Sequence, residues 1–513
     1  DAHHLAENVV SLLAVRIQRL PHESRTLLSL LACIGTDADV ALLCAAAGKT
    51  RAELAFWMDP VRQAGLASHA DDRWRCVHDR VIESVHALAG RAERAQCHAR
   101  IAAAMLARPG ARATEALLEL AAQIEQARTA PLDRTLAFAF ADALVAAAEA
   151  AATVAARDRA LSFLACAQTL LGPHAWAQHY GLASRIGMLR GGLLLATGAT
   201  AQASSTIDEL MARTRTPADR AEAHRLKAAQ LTVESRYRQA VDVALQGLAL
   251  LGVTLPAAPT AADLAAAGDA VRDALAGRAI GDLVELPVMT DTRVEATMAL
   301  LTALEAAMFY PSGGLPLLHF ATMVRLTLQH GVTAASVQGL AWYGVSIAEH
   351  HGAYEDGFEF AKVALALVDR HGFERYRSAT LIALDQVSVW TQPLSYALER
   401  AREAKAAGNA SAELRWMCYS CNHIVSDLLS MGEALPAIRD EIDSLLAIAR
   451  GARYDDIVDL VSTQSEFVDA LQFGYDRPVG TWRMRVSTKT PMSVLQFWTD
   501  VLAGQAAFIF GDA

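Results

Sequence analysis

Residues 74 to 90 read WRCVHDRVIESVHALAG, with His78, Asp79 and Arg80 side by side. A histidine beside a carboxylate can act as a general base, but a catalytic triad also needs a nucleophile within hydrogen-bond reach of the imidazole. The nearest hydroxyl downstream, Ser84, falls on the same expected helix but at a spacing that does not place it beside His78. The order His-Asp-Arg differs from the His-Arg-Asp of protein kinases, and no Asp-Phe-Gly triplet or kinase glycine loop accompanies it. As local chemistry, the run reads as a helix start: Asp79 caps the free amides of a helix beginning at Val81 and suits the positive end of its dipole.

AAAGKT, at 45 to 50, ends as a phosphate-binding loop does. Such a loop needs its first glycine where Leu43 stands and a buried strand where VALLCAAA is helical, so Gly48 is expected to cap a helix instead. GGLLLATG, at 191 to 198, lacks both GxGxxG spacing and a preceding strand and reads as a turn between helices. His3-His4 and His350-His351 lack the i, i+4 spacing with an intervening glutamate that zinc hydrolases use, and are expected at polar helix ends. Cys418 and Cys421 are a close cysteine pair without a second CxxC or a βαβ setting, which points to helix packing. Trp176, Trp342, Trp390, Trp416, Trp482 and Trp498 are expected as wedges between helices in an alanine-rich chain, ahead of any role as ligand platforms.

The elements that must carry these residues are helical. Ala, Leu, Arg and Glu dominate, aromatics make up 6%, and β-branched residues come singly, which argues all-α. At 513 residues the chain outgrows one hydrophobic core, so several domains or a stacked repeat array is expected. The apolar run AFAFADALVAAAEAAATVAA carries Asp142 and Glu149 and is mostly alanine, so no membrane partner is expected. Seven scattered cysteines fit a reducing compartment, and the first residues show no secretory signal; a soluble, cytoplasmic piece of a longer protein is the expectation. The net charge of −10 lacks the basic field that nucleic acid demands. Arginines do gather between 51 and 112, and a solvated face is the default for such scattered charge.

The first segment differs from the rest. Helices across LAVRIQRLPHESRTLLSLLACIG, DVALLCAAAG and RAELAFWMDPVRQAGL, the last closed by Gly65, precede SHADDRWRCVHDR, a polar turn between strand-like residues. That order reads as a winged-helix-like domain over 1–110. Farther on, corners at Gly198, Arg236, Gly352, Gly432 and Gly511 are separated by 38, 116, 80 and 79 residues, near multiples of roughly 39. Such a beat is the mark of helix hairpins stacked into an elongated tetratricopeptide-like α-solenoid, placed in two blocks, 111–255 and 256–513, with the joint at Pro256 and Pro259.

LPHESRTLLSLLACIG, GLASHADDRWRCVHDRVIESVHAL and HARIAAAML resemble the segment that follows the ATPase module in large bacterial signalling ATPases of the STAND type. The resemblance continues through LLGPHAWAQHYGL, RYRQAVDVALQGLALLGVTLP, IGDLVELPVMTDTRVEATMALL and HHGAYEDGFEFAKVALALV, and LPVMTD is its most specific part. It implies a winged helix and a helical-repeat sensor attached to an AAA-type ATPase domain and a protein kinase or sensor histidine kinase. In relatives a Met-His-Asp triplet at the winged helix touches the nucleotide; Val77-His78-Asp79 resembles it, with valine for methionine, so His78 would sense phosphates, Asp79 would hold the turn and Arg80 would lie nearby. The implied partners are a protein or small-molecule effector and the protein's own ATPase and kinase domains. No phosphate-binding loop, Walker-B strand or kinase module occurs in these residues, so ATP or ADP would belong to an upstream domain, with no cofactor and no enzyme activity here. The alternative is the sensor arm of a LuxR-type transcription activator, which has the same layout and ends in a DNA-binding helix-turn-helix.

Overall fold

A computed structural model describes residues 12–511 except 155, 235, 310–312, 412, 453 and 475–492, so His3, His4 and Trp482 lie outside the described residues. The chain divides into two compact units, 1–213 and 214–513. Both are built of antiparallel helix hairpins, an all-α solenoid arrangement apart from one small sheet in the first unit.

After helical residues 12–18, the first unit holds α1 (His22–Ile34), β1 (Asp37–Asp39), α2 (Val40–Ala47), α3 (Arg51–Gln63), β2 (Ala67–Ala70), β3 (Arg73–Cys76), α4 (Asp79–Leu88) and α5 (Arg91–Leu106). The strands pair antiparallel in the order β1-β3-β2, with Trp74 opposite both Ala38 and His69. In β3, Trp74 and Cys76 point inward while Arg73 and Arg75 face water, the alternation a half-buried strand requires. Asp71 and Asp72 turn the β2–β3 hairpin with φ of 50° and 59°, as a two-residue turn matched to strand twist demands. Leu28, Leu31, Leu43, Met58 and Val61 lock the helices together in a core that includes Trp74. The expected helices and hairpin are present; β1, three residues without apolar alternation, had no sequence signal.

Helices α6 (Thr114–Ala127), α7 (Arg134–Thr153), α8 (Arg157–Leu171), α9 (Tyr180–Ala196) and α10 (Thr200–Arg213) complete this unit. The expected break near 110 is bridged by α5, which gives Cys97 and Ile101 to the first core and Ala99 and Ala102 to the next. Among the described residues α7 is long and apolar enough to cross a membrane. Its Phe140, Leu144, Val145 and Ala148 are wholly buried in the unit, and its acids are paired, Asp142 with Arg112 and Arg185, and Glu149 with Arg185.

The second unit holds α11 (Pro217–Val233), α12 (Tyr237–Leu250), α13 (Ala261–Leu275), α14 (Thr292–Leu301), α15 (Leu315–His330), α16 (Ala334–His351), α17 (Tyr354–His371), α18 (Arg377–Ser388), α19 (Leu394–Ser411), α20 (Leu414–Met431), α21 (Leu435–Gly451), α22 (Asp455–Phe473) and α23 (Ser493–Phe510). The expected corners fall between α9 and α10, α11 and α12, α16 and α17, and α20 and α21, with Gly511 after α23. Two further corners, after Thr153 and Ser388, keep the beat without a glycine. Helices α16 and α17 touch backbone to backbone: a Cβ on Gly344 would lie 2.3 Å from the Gly357 carbonyl oxygen.

Across Pro256 and Pro259 one core joins Leu248 and Leu251 before the prolines to Val271 and Leu283 after them. The second unit keeps the solenoid order and also makes contacts beyond neighbouring hairpins. A 3-10 segment, Thr302–Phe309, lies against α11, α12, α14, α15 and α16, burying Leu304, Ala306 and Ala307, and Tyr237 on α12 reaches Asp456 on α22. Between 251 and 315, α13 and α14 alternate with irregular and 3-10 segments.

LPVMTD belongs to this irregular stretch. Val288 bridges Val332 in parallel: the Val332 N–H donates to the Pro287 carbonyl at 2.7 Å, and the Met289 N–H donates to the Val332 carbonyl at 2.8 Å. Met289 is buried, and Asp291 caps α14 by accepting from the N–H groups of Arg293 and Val294. Gly331 has φ of +100°, and a Cβ there would stand 2.4 Å from the Pro287 oxygen. Here a specific sequence signal marks a strand-to-corner splice.

Candidate functional site

The corner between β3 and α4 carries the residues singled out in the sequence. His78 is extended (φ −159°, ψ 147°) and is itself the N-cap of α4: its Nδ1 accepts the Arg80 N–H at 3.1 Å. Asp79, expected as the cap, is instead the first helical residue, where its charge favours the helix dipole without taking an amide. With Nδ1 occupied as acceptor, the neutral ring carries its proton on Nε2. Val77, His78 and Asp79 are all exposed. Arg80 turns back along the helix to Glu83 at 2.7 Å.

Ser84 does not complete a triad. Its side chain is fully buried and its hydroxyl donates to the Arg80 carbonyl at 2.7 Å, while His78 faces water.

AAAGKT becomes a helix corner. Gly48 caps α2 with φ of +64°, Lys49 pairs with Glu23 at 3.0 Å, and Thr50 forms a capping box with Glu53 at the start of α3. Every group that would cradle a phosphate is bound within the chain. The arginines between 51 and 112 are mostly local clamps: Arg51 with Asp72, Arg62 with Asp59, Arg73 with Asp37, Arg108 with Asp39 and Arg112 with Asp142. Arg100 donates to the carbonyls of Ala46 and Ala47 at the end of α2. Most of these charges are tied to carboxylates of the same unit, as on an ordinary solvated face.

The second unit holds a buried polar group that residue spacing alone does not reveal. Asp385 on α18, 1% exposed, receives His423 Nδ1 of α20 at 2.5 Å. Asp427, one turn beyond His423, lies against Asp385; burial first, and then the neighbouring carboxylate, push its pKa up to about 9, so it stays protonated at neutral pH. On α22, Gln464 donates to the Asn422 carbonyl, the Asn422 Oδ1 and the Ser426 hydroxyl at 3.2, 2.9 and 3.0 Å. The signal that could have found it is a charged residue at a core position, Asp385 in LIALDQVS and Asp427 in IVSDLL.

Nearby, Glu305 accepts from Gln338 at 2.7 Å and pairs with Arg415, which lies over the Trp416 ring at 5.2 Å. Trp342 and Trp416 are buried 5.2 Å apart, as wedges should be, whereas Trp390 is 63% exposed. Cys418 and Cys421 are both buried on α20, with thiols raised by burial to about 11 and about 12; they are packing residues in their protonated form. Among the described residues no three His, Cys, Asp or Glu side chains are placed to hold a metal ion.

No family model matches the chain, and no curated protein does. One similar solved structure is a signal transduction ATPase with numerous domains (STAND) protein with a tetratricopeptide repeat sensor, from Pyrococcus horikoshii. It is 12% identical with a TM-score of 0.49, over 96% of this chain and 63% of that one. So distant a likeness assigns no residue and no activity. This chain spans less than two thirds of that protein's length.

Proposed function

We propose that this chain is the regulatory helical-repeat arm of a multidomain signal-transduction ATPase, without a reaction centre of its own. Its first module, helix, strand, two helices and hairpin, is read as a winged helix that faces the nucleotide of an ATPase domain; the hairpins of the second unit receive a protein or small-molecule effector. A kinase domain, histidine or Ser/Thr, is the proposed output, and ATP or ADP bound by the ATPase domain is the cofactor.

The observation that carries this reading is the exposed His78 corner. Its ring is tethered by the Arg80 amide and stands exposed at the positive end of the α4 dipole, a setting that suits an anionic phosphate oxygen. Coupling then follows from a difference in contact between two nucleotide states; an effector that bound both equally would shift nothing.

The test uses the full-length protein with His78→Ala and His78→Asn. Asparagine keeps a side-chain acceptor for the cap but removes the imidazole N–H. Both variants are expected to retain ADP less well and to raise basal output. Unchanged ADP retention and output in both would remove the sensing role.

A further inference from the structure

Two thiols meet in the first unit, and nothing assigned so far uses them. Cys33, next to last in α1, and Cys97, on α5, belong to the same core, and their side chains are hydrogen-bonded to each other where the two helices pack. The pair lies at the rim of that core: Cys33 and Cys97 keep 6% and 5% exposure, whereas Leu28 and Leu31 of α1 are at 0%. Cys418 and Cys421 are different, both at 0% on one helix, with the Cys421 thiol donating to the Met417 carbonyl at 3.5 Å.

The surroundings of Cys33 and Cys97 are fixed. Gln123 of α6 donates to the Cys33 carbonyl at 3.2 Å, and His98, next to Cys97, donates from Nδ1 to the Gln123 Oε1 at 2.7 Å. Arg100, one turn after Cys97, is held by the carbonyls of Ala46 and Ala47 and keeps its charge. The two sulfurs are not equivalent. The hydrogen bond from Cys33 holds the Cys97 thiol below its ordinary range, with burial and Glu93 opposing and Arg100 assisting. The same bond, then burial, push Cys33 up. A thiolate forms more readily at Cys97, and the thiolate is the nucleophile.

We propose that Cys33 and Cys97 are a modification site, forming a reversible disulfide with a hydroperoxide, Cys97 as the attacking sulfur and Cys33 as the resolving one. The Cys97 thiolate attacks the peroxide: an S–O bond forms, the O–O bond breaks, and the leaving oxygen takes a proton as water. Cys33 then gives up its proton and attacks the Cys97 sulfur; the S–S bond forms, the S–O bond breaks, and the second oxygen leaves as water. Two thiols and one hydrogen peroxide give one disulfide and two waters. A small dithiol reverses the step by exchange and is itself oxidised. The bond closes a covalent loop that holds β1, α2, α3, β2, β3 and α4, and so the His78 corner, but it does not depend on the nucleotide-sensing reading.

The test treats the whole folded chain with hydrogen peroxide, alkylates the remaining thiols in denaturant and maps the peptides without reduction. Two of the seven thiols are expected to be lost, in a peptide that links Cys33 to Cys97, with both regained after dithiothreitol and with Cys418 and Cys421 still free. In Cys33→Ala, oxidation is expected to stop at a Cys97 sulfenic acid that dimedone traps; Cys97→Ala is expected to give at least about fivefold less trapping at Cys33. Melting curves in reductant show whether each variant is folded, and the wild-type map decides the bond without either. Both thiols free after peroxide would overturn the proposal. So would a link that forms only in urea, or equal trapping in the two variants.

Discussion

The phenol of Tyr237 donates to the Asp456 carboxylate at 3.2 Å, joining α12 to α22 across 219 positions of sequence. Both side chains are buried, so the bond forms away from competing water and the loss of one partner is felt by the other. It ties an early hairpin of the second unit to a late one.

Tyr237→Phe removes the hydroxyl and keeps the ring. It is expected to destabilise the second unit by about 1–3 kcal/mol, read as a lower denaturant midpoint with an unchanged slope. A midpoint equal to wild type would show that the bond contributes nothing to holding α12 and α22 together.

Asp427 gives stability a pH dependence of known sign. Its pKa rises from 3.8 to about 9 on folding, so the folded chain holds one more proton between those values and stability falls as pH rises through that window. Asp427→Asn keeps an N–H donor towards Asp385 and deletes the titration. Its melting temperature is expected to exceed wild type at about pH 8 and to change less from acid to alkali; parallel curves for the two proteins would sink this account.

His319 acts at the acid end. It is fully buried, and desolvation lowers its pKa from 6.5 to about 3, so stability is lost as pH falls between those values. His319→Leu, read by melting curves, is expected to soften the decline below about pH 6. An unaltered acid limb would assign that decline to other groups.

Gly344 and Gly504 both sit inside helices, where alanine is the better former by about 0.5–1 kcal/mol. Packing reverses the preference at one of them. Gly344→Ala meets the Gly357 backbone and is expected to cost about 1–3 kcal/mol, whereas Gly504→Ala meets nothing within 4 Å and is expected to stabilise. Chemical denaturation of both variants checks this; two stabilised proteins would refute the close approach of α16 and α17.

His78 has a structural duty that can be separated from any sensing one. Removing the cap in His78→Ala should cost about 0.5–2 kcal/mol, and His78→Asn should recover most of it. A variant series with no change in melting temperature would show that the Arg80 amide finds another acceptor.

The sequence by itself determined the helical class, the hairpin at Asp71 and Asp72, the Gly48 cap and most corners, because each follows from propensity, turn chemistry or period within a few residues. It also excluded a phosphate loop at AAAGKT, for the same local reason. Tertiary structure alone decided that Leu248 and Val271 share a core across two prolines, and that Asp385, His423 and Asp427 meet. Those outcomes depend on which helices pack against which, and a one-dimensional period says that neighbours pack without saying that α12 will reach α22. A residue's burial, and with it the pKa of Asp427 or the exposure of Trp390, exists only once that choice is made.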